Sequence, residues 1–282
     1  MKKIKILTLI LVCISILSCH NDDNELAFKT KIIKNVTKST NTPYQGYNHS
    51  FEFNNGLLIS ATGNTPFVGE YEYDSSGRIK KRIQNNNTYE YKYDTLNRIV
   101  RVNTVGNERY FELSYQTNKV ITKAYVYYDY NNTTSITDYE LQLDDKGRII
   151  KATYLTPDNI HNIEYKKYTY DSRGNITEII TKYENKQIKS IDKYFYDDKI
   201  NPYYVSFKKH NSLTYYLNNL SGIELTNASG LTPNNITRLN NTMYNDIWII
   251  KYVYDNDGYP ISYKRHLCLV NGSEPDIIIE YY

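Results

Sequence analysis

The sequence predicts an all-β protein built from antiparallel β-hairpins, and three observations support this prediction. Tyrosine is abundant, with 32 among 282 residues, and aromatic side chains favour strands. The aromatic residues alternate with polar ones, as on one face of a strand. A short pattern also recurs: aromatic, any residue, aromatic, Asp, two residues of any type, Gly, Arg, Ile. Such a repeat predicts an antiparallel meander of hairpins that forms a curved or barrel-like sheet.

The copies of this repeat differ in how closely they follow the pattern. Asn97 stands in the Gly place of one copy, and Asn175 stands in the Arg place of another. Because each repeat supplies two strands and the C-terminal region adds a pair, we expect about 12 to 16 strands. The clear copies are 71–79, 91–99, 141–149 and 168–176, and the weaker copies are 51–59, 194–200 and 252–261.

Asp and Gly occupy the positions of the repeat where a tight turn is expected. The spacing Asp-x-x-Gly suits a type I turn that the Asp side chain caps. The Gly then takes the left-handed conformation of a G1 bulge, in which a Cβ is costly, and Asn also tolerates it. This register places Tyr73 opposite Ile79. The predicted turn residues are Asp74, Gly77, Asp94, Asn97, Asp144, Gly147, Asp171, Gly174, Asp255 and Gly258.

Recurring Asp and Gly in short loops also suit a series of calcium sites, which is the competing interpretation. The best candidate is Asp255-Asn256-Asp257-Gly258. An EF-hand, however, needs a longer series of ligands closed by a Glu, and Lys264 lies where that Glu would be sought. We therefore expect turns rather than metal sites, and no cofactor.

The segment Met1–Cys19 has the composition of an export signal. Lys2, Lys3 and Lys5 precede an apolar stretch at 6–16, as in a secretory signal peptide. A transmembrane helix is the competing interpretation, but it needs about 20 apolar residues. We therefore predict a signal peptide at 1–18 that is removed from the mature protein.

The cleavage site Ile16-Leu17-Ser18-Cys19 resembles the lipobox of bacterial lipoproteins. The resemblance implies that the Cys19 thiol is lipidated and becomes the new N-terminus; the alternative is an ordinary secretory signal with a chance Cys. Acyl chains contribute about 0.8 kcal/mol per buried methylene, so such an anchor would be effectively permanent. We expect an outer-membrane lipoprotein that faces the cell surface or the periplasm.

The mature chain divides, on this prediction, into a lipidated tether at 19–42 and a repeat domain at 43–282 with an irregular insertion at about 201–246. The acidic stretch 20–25 resembles the tag that some Gram-negative bacteria use to export lipoproteins to the surface. It equally suits a solvated tether, because such a composition buries little apolar surface. Both interpretations remain open.

Charge and cysteine content narrow the possible partners. The segment 1–18 carries three Lys and no acid, so Lys+Arg falls from 34 to 31 and equals the 31 Asp+Glu. Without excess positive charge, nucleic acid is not an expected partner. Cys13 leaves with the signal and Cys19 is lipidated, so Cys268 has no disulfide partner in the mature chain.

The Tyr-x-Tyr-Asp-x-x-Gly-Arg-Ile units resemble the YD repeats of the Rhs family, whose spiralling β-sheets form shells around toxin cargo. The match covers Phe51 to Ile200 and one unit near Tyr254, which is too little for such a shell. The order of lipobox, degenerate units and Asn201-Pro202 more closely resembles a family of uncharacterised bacterial lipoproteins with a porin-like β fold. That resemblance implies a fold but no activity.

The strands themselves argue against a membrane-spanning sheet. Glu90 and Lys92 alternate with the tyrosines of one strand, and we expect Arg78, Lys80 and Arg82 to lie on the face away from Ile79. A charge at the middle of a bilayer costs about 2 to 4 kcal/mol. We therefore predict a sheet that does not span the membrane.

Searching the sequence for catalytic motifs yields no enzyme class. The His residues lack the spacing of a zinc site, and no nucleophile elbow or dinucleotide fingerprint occurs. Paired carboxylates of a glycosidase remain an alternative, because such residues lie far apart in sequence. We predict no enzyme but a noncatalytic binding module for a glycan or an envelope protein; the alternatives are a structural shell component and a glycan-active enzyme.

Two further features bear on binding. The Asn-rich excursion 211–241, with one short helix expected near 213–220, is either a surface loop or cap, or a binding surface of the kind that insertions into repeat folds form. Trp248, the only Trp, lies in an apolar stretch. It suits core packing or a platform on which a sugar stacks.

Overall fold

In the computed structural model the chain divides into two units, Met1–Thr30 and Lys31–Tyr282. The second unit contains all the residues described below, so the predicted signal peptide and Cys19 lie outside the described residues. The described residues are 31–38, 49–63, 68–106, 109–128, 133–154, 163–183, 187–207, 232–268 and 277–282.

Strands dominate these residues. The strands are β1 (Ile33–Lys38), β2 (His49–Asn54), β3 (Leu57–Thr62), β4 (Gly69–Tyr73), β5 (Ile79–Gln84), β6 (Asn87–Tyr93), β7 (Ile99–Val105), β8 (Tyr110–Gln116), β9 (Lys119–Tyr128), β10 (Thr133–Leu143), β11 (Ile149–Tyr154), β12 (Ile163–Tyr170), β13 (Ile176–Tyr183), β14 (Ile188–Ile200), β15 (Asn234–Asn241), β16 (Asp246–Tyr254), β17 (Pro260–Leu267) and β18 (Ile277–Tyr281). One helix, α1 (Pro202–Phe207), lies between β14 and β15 in the described part of the chain. No helix in these residues is long and apolar enough to cross a membrane.

Each strand pairs antiparallel with the next, and the sheet closes on itself. Ile33 of β1 lies opposite Tyr281 of β18, and Val36 lies opposite His49 of β2. Closure leaves no free sheet edge among the described strands, which removes a site for unwanted strand pairing. The predicted all-β, antiparallel, barrel-like sheet is confirmed, with 18 strands among the described residues rather than 12 to 16.

Two of the strands lie in segments that were expected to be a tether and an irregular insertion. β1 lies inside the expected tether at 19–42, where it buries Ile33 and Val36 in the core. β15 lies inside the expected insertion at 201–246 and pairs with both β14 and β16. The helix expected near 213–220 lies outside the described residues.

The Asp-x-x-Gly turns all lie at one end of the barrel, here named the turn end. Because successive strands alternate in direction, the connections that follow even-numbered strands share this end. The opposite end, here named the loop end, carries connections such as 85–86 and 242–245. β1 starts at the turn end, because its first residue, Ile33, lies opposite Tyr281, the last residue of β18.

A β-bulge follows each turn and reverses the side-chain direction that was expected for Arg82. In the first clear repeat, Tyr73 lies opposite Ile79 and Glu72 opposite Lys81, so Lys80 is an extra residue. The extra residue reverses the alternation of the following side chains. Arg82 consequently shares the inward face with Ile79 and is only 2% exposed, whereas simple alternation placed it on the outward face.

The core consists of inward side chains from the repeats, and α1 adds to it at the turn end. The Phe207 ring lies 5.2 Å from the ring of Phe51 and 5.9 Å from that of Phe53. The Ser206 hydroxyl accepts a hydrogen bond from the buried backbone N–H of Ile33 at 3.0 Å. The buried repeat residues include Tyr71, Ile79, Tyr91, Ile99, Leu141, Ile149, Tyr168 and Ile176.

Candidate functional site

The turn of the first clear repeat shows what its Asp and Gly do. The Asp74 carboxylate accepts hydrogen bonds from the backbone N–H groups of Ser76 and Arg78, at 2.9 and 3.0 Å, and from Arg78 Nε at 2.6 Å. The N–H of Gly77 donates to the Asp74 carbonyl, and Gly77 has φ +75°. The hydrogen bonds from Arg78 lower the pKa of Asp74. This carboxylate is therefore engaged in the turn.

The other repeat turns have the same construction. Asp94 and Asp144 likewise pair with the Arg four residues later, whereas Asp171 bonds Asn175 instead. A left-handed residue occupies the fourth position of every turn: φ is +60° at Asn97, +75° at Gly147, +95° at Gly174 and +79° at Gly258.

Gly147→Val is expected to lower the free energy of unfolding by about 1 to 3 kcal/mol, because a β-branched residue is strained at φ +75°. No atom lies within 4 Å of the position of the added Cβ, so backbone strain alone is measured. Gly147→Asn is the matched control and should be mild, since Asn97 holds the same conformation. Urea unfolding of both variants tests this; a Val variant as stable as the parent contradicts it.

The Tyr at the second aromatic position of most repeats has a role that sequence reasoning missed. Its phenol donates a hydrogen bond to a backbone carbonyl at the bulge of the preceding hairpin, at distances of 2.5 to 2.8 Å. Each bond ties one hairpin to its neighbour and explains why Tyr rather than Phe recurs there. The pairs are Tyr73–Leu58, Tyr93–Ile79, Tyr115–Ile99, Tyr170–Ile149, Tyr196–Ile176 and Tyr281–Pro260. In the repeat 252–261 the first aromatic residue, Tyr252, donates to the Ile236 carbonyl instead, and Tyr254 donates to Asp197.

The Arg of the repeat completes this connection between hairpins. The guanidinium of Arg78 lies 4.5 Å from the centre of the Tyr93 ring, and that of Arg148 lies 4.3 Å from the Tyr170 ring. Such cation–π contacts contribute about 0.5 to 1 kcal/mol at exposed sites. The Asp, Arg and second Tyr of the repeat thus form a structural unit at the turn end.

The carboxylates of the best calcium candidate contact a cation from the chain itself. Lys31 Nζ lies 2.6 Å from Asp255 Oδ2 and 2.7 Å from Asp257 Oδ2. The side-chain hydrogen bond from Lys31 also lowers the pKa of Asp255, against the effect of burial. Within the described residues, no group of three or more His, Cys, Asp or Glu side chains is arranged to hold a metal ion.

Toward the loop end, one arc of the inner wall is polar. We name Lys166, Thr181, Ser190, Asp192 and Asn241 the inner polar strip. Lys166 pairs with Thr181 and Thr181 with Ser190 across adjacent strands, and Asp192 pairs with Asn241. The first three side chains are buried, whereas Asp192 and Asn241 are partly exposed.

Burial and neighbouring charge act in opposite directions on Asp192. Desolvation raises the pKa of its carboxyl group, while a hydrogen bond from Asn241 Nδ2 at 2.5 Å and the charge of Lys166 lower it, and the net direction is upward. A partly buried carboxylate is costly unless it is hydrogen-bonded. The strip therefore holds a hydrogen-bonded acceptor on the inner wall.

Trp248 and Arg265 lie beside this strip on the neighbouring strands. The Arg265 guanidinium lies 5.4 Å from the centre of the Trp248 ring, and both side chains are partly exposed. Trp248 lies opposite Leu239 and Arg265 opposite Ile250, so both share the inward face. Trp248 is thus half-buried on the inner wall, next to polar side chains.

Comparisons with known proteins assign no family to this chain. No family model matches the sequence, and no curated protein matches it. Among solved structures, a porin-like protein from Bacteroides uniformis is 13% identical, with 70% of this chain and 90% of that chain covered and a TM-score of 0.32. A porin-like protein from Bacteroides vulgatus is 12% identical, with 89% and 99% covered and a TM-score of 0.32.

A further similar structure is the Tc holotoxin pore of Photorhabdus luminescens. It is 13% identical to this chain. The match covers 81% of this chain and 9% of that chain, with a TM-score of 0.25. At such identities the likeness concerns the fold alone.

Proposed function

We propose that this chain is an outer-membrane lipoprotein, anchored through Cys19, whose barrel is a noncatalytic binding module for a glycan. The observation that carries this proposal is the inner polar strip beside Trp248, because polar groups and an aromatic face on a concave wall are features of ligand sites. A barrel interior is also a common place for a bound ligand.

The repeat carboxylates support a noncatalytic role. Asp74, Asp94 and Asp144 each accept two backbone hydrogen bonds and pair with an Arg. A glycosidase needs two carboxyl groups that face each other across the scissile bond. The carboxylates that recur in the repeat instead hold turns together, which favours binding over catalysis.

A glycan screen tests the function. The probe is the chain from Asp22 to Tyr282, which contains every strand of the barrel, and the screen uses immobilised bacterial, plant and host glycans. We expect saturable binding to one class of glycan without release of reducing ends. Failure to bind any glycan, with binding to an envelope protein instead, would overturn the proposal in favour of a protein-binding module.

Cys19→Ser is expected to abolish acylation and membrane fractionation while leaving the fold unchanged. The thiol is the acceptor of the lipid in the lipobox interpretation, and position 19 precedes the first strand by more than ten residues. Metabolic labelling with a fatty acid and ultracentrifugation measure the first effect, and circular dichroism measures the second. A Ser variant that is still acylated and sediments with membranes excludes lipid attachment at Cys19.

A further inference from the structure

We infer that the glycan-binding surface is formed by Asp192, Asn241, Trp248 and Arg265 on the inner wall near the loop end, and that its ligand is a neutral, hydroxyl-rich sugar. This inference rests on the proposed function and specifies where the ligand binds. The four side chains are contributed by strands β14 to β17, which are consecutive neighbours in the sheet.

Buried polar residues such as Arg82, Thr104 and Thr122 occur elsewhere in the barrel, but Lys166 and Asp192 stand at a repeat position that does not require a charged residue. The inward residue two places before the first aromatic position of the repeat is Tyr89 in one hairpin and Tyr139 in another. At the same position the arc has Lys166 and Asp192. Apolar or aromatic side chains would serve packing better, because burying charge costs free energy. Local departures from a repeat pattern are expected at functional sites, and the charged residues Lys166 and Asp192 are such departures.

The polar groups on this surface suit the hydroxyls of a sugar. The Asp192 carboxylate accepts hydrogen bonds and Arg265 donates them. The Asn241 amide donates to Asp192 and accepts from the Tyr244 N–H, and its second N–H is a further donor. Adjacent sugar hydroxyls donate and accept at once, so they match such a mixed set. The buried side chains of Lys166, Thr181 and Ser190 continue the polar wall behind these groups.

Trp248 supplies an apolar surface on which a sugar ring can stack. A pyranose has an apolar C–H face, and an indole offers a large apolar surface with a polar N–H at its edge. This part of the inner wall carries two carboxylates, Asp192 and Asp246 opposite Asn241, and two cations, Lys166 and Arg265, so its charges balance. This balance favours a neutral sugar over a uronic or phosphorylated one.

Trp248 is the only Trp of the chain, so its fluorescence reports on this surface alone. The experiment titrates the chain from Asp22 to Tyr282 with the neutral oligosaccharide identified by the glycan screen, or with maltohexaose, cellohexaose and mannohexaose. We expect a saturable change in Trp emission and protection from acrylamide quenching. Asn241→Ala and Arg265→Met should each weaken binding at least about tenfold, the loss of one well-placed hydrogen bond to a charged or polar partner.

Asn240→Ala is the matched control, because Asn240 is the outward neighbour of Asn241 on the same strand and lies opposite exposed Lys193. It should bind as the parent does. Thermal melting checks that every variant is folded; if Asn241→Ala unfolds early, Arg265→Met carries the test. Glycan binding that leaves Trp emission and quenching unchanged, and that both inner-wall variants retain, overturns this site but not the proposed function. Absence of binding to any glycan overturns both.

Discussion

Phe207→Ala is expected to lower the free energy of unfolding by about 3 to 5 kcal/mol, the usual cost of removing a buried Phe side chain. Phe207 is 1% exposed and contacts the rings of Phe51, Phe53 and Tyr203 at the turn end. Phe51 and Phe53 belong to β2, whose backbone is paired with β3 in the sheet, so these rings cannot move far into the cavity. Urea unfolding followed by circular dichroism measures the loss.

Phe195→Ala is the control for this substitution. This substitution also removes a Phe side chain, but Phe195 is 46% exposed on the outward face of β14, where it contacts Arg238. Its loss should change the free energy of unfolding by less than about 1 kcal/mol. Equal losses in the two variants would mean that α1 does not pack into the barrel as described.

Gly69→Ala is the second substitution with a large expected effect, on the order of 3 kcal/mol. Gly69 has φ +136°, and a Cβ built there would lie 2.5 Å from the carbonyl oxygen of Ile83 on the neighbouring strand. The backbone of β4 or β5 must therefore move. That movement would also disturb the hydrogen bond from Arg82 Nη2 to the Val68 carbonyl, which is 2.8 Å long.

Gly77→Ala separates steric crowding from backbone strain. Gly77 has φ +75°, but no atom lies within 4 Å of the position of its added Cβ. Only the left-handed conformation is penalised there, at about 1 to 2 kcal/mol. Gly69→Ala should consequently melt at a clearly lower temperature than Gly77→Ala. The reverse order would show that β4 and β5 approach less closely than in the structure.

The hairpin repeat is the part of this fold that the sequence determines locally. A type I turn followed by a bulge depends on a few adjacent residues, so its pattern can be recognised without knowing the rest of the chain. The alternation of aromatic and polar residues likewise indicates which strands have one buried face. These local signals predicted an antiparallel, barrel-like sheet of hairpins.

Strands without the repeat could not be recognised in the same way. Ile33 and Val36 of β1 are buried because β1 bridges β2 and β18 and closes the sheet. Their partners lie as many as 248 residues away, and no turn signal marks such pairing. Arg82 shows the same limit, because its inward direction depends on a bulge that simple alternation does not reveal.

The sequence by itself thus determined the turns, the strand type and the aromatic face, since each depends on neighbouring residues. The tertiary structure alone decided closure, the hydrogen bonds from Tyr hydroxyls to preceding hairpins, and the inner polar strip. Lys166 and Arg265 lie on β12 and β17, and their shared position on one wall follows only from the order and stagger of the strands between them. Local patterns carry no information about that stagger, because it is set by packing and hydrogen bonding across the whole sheet.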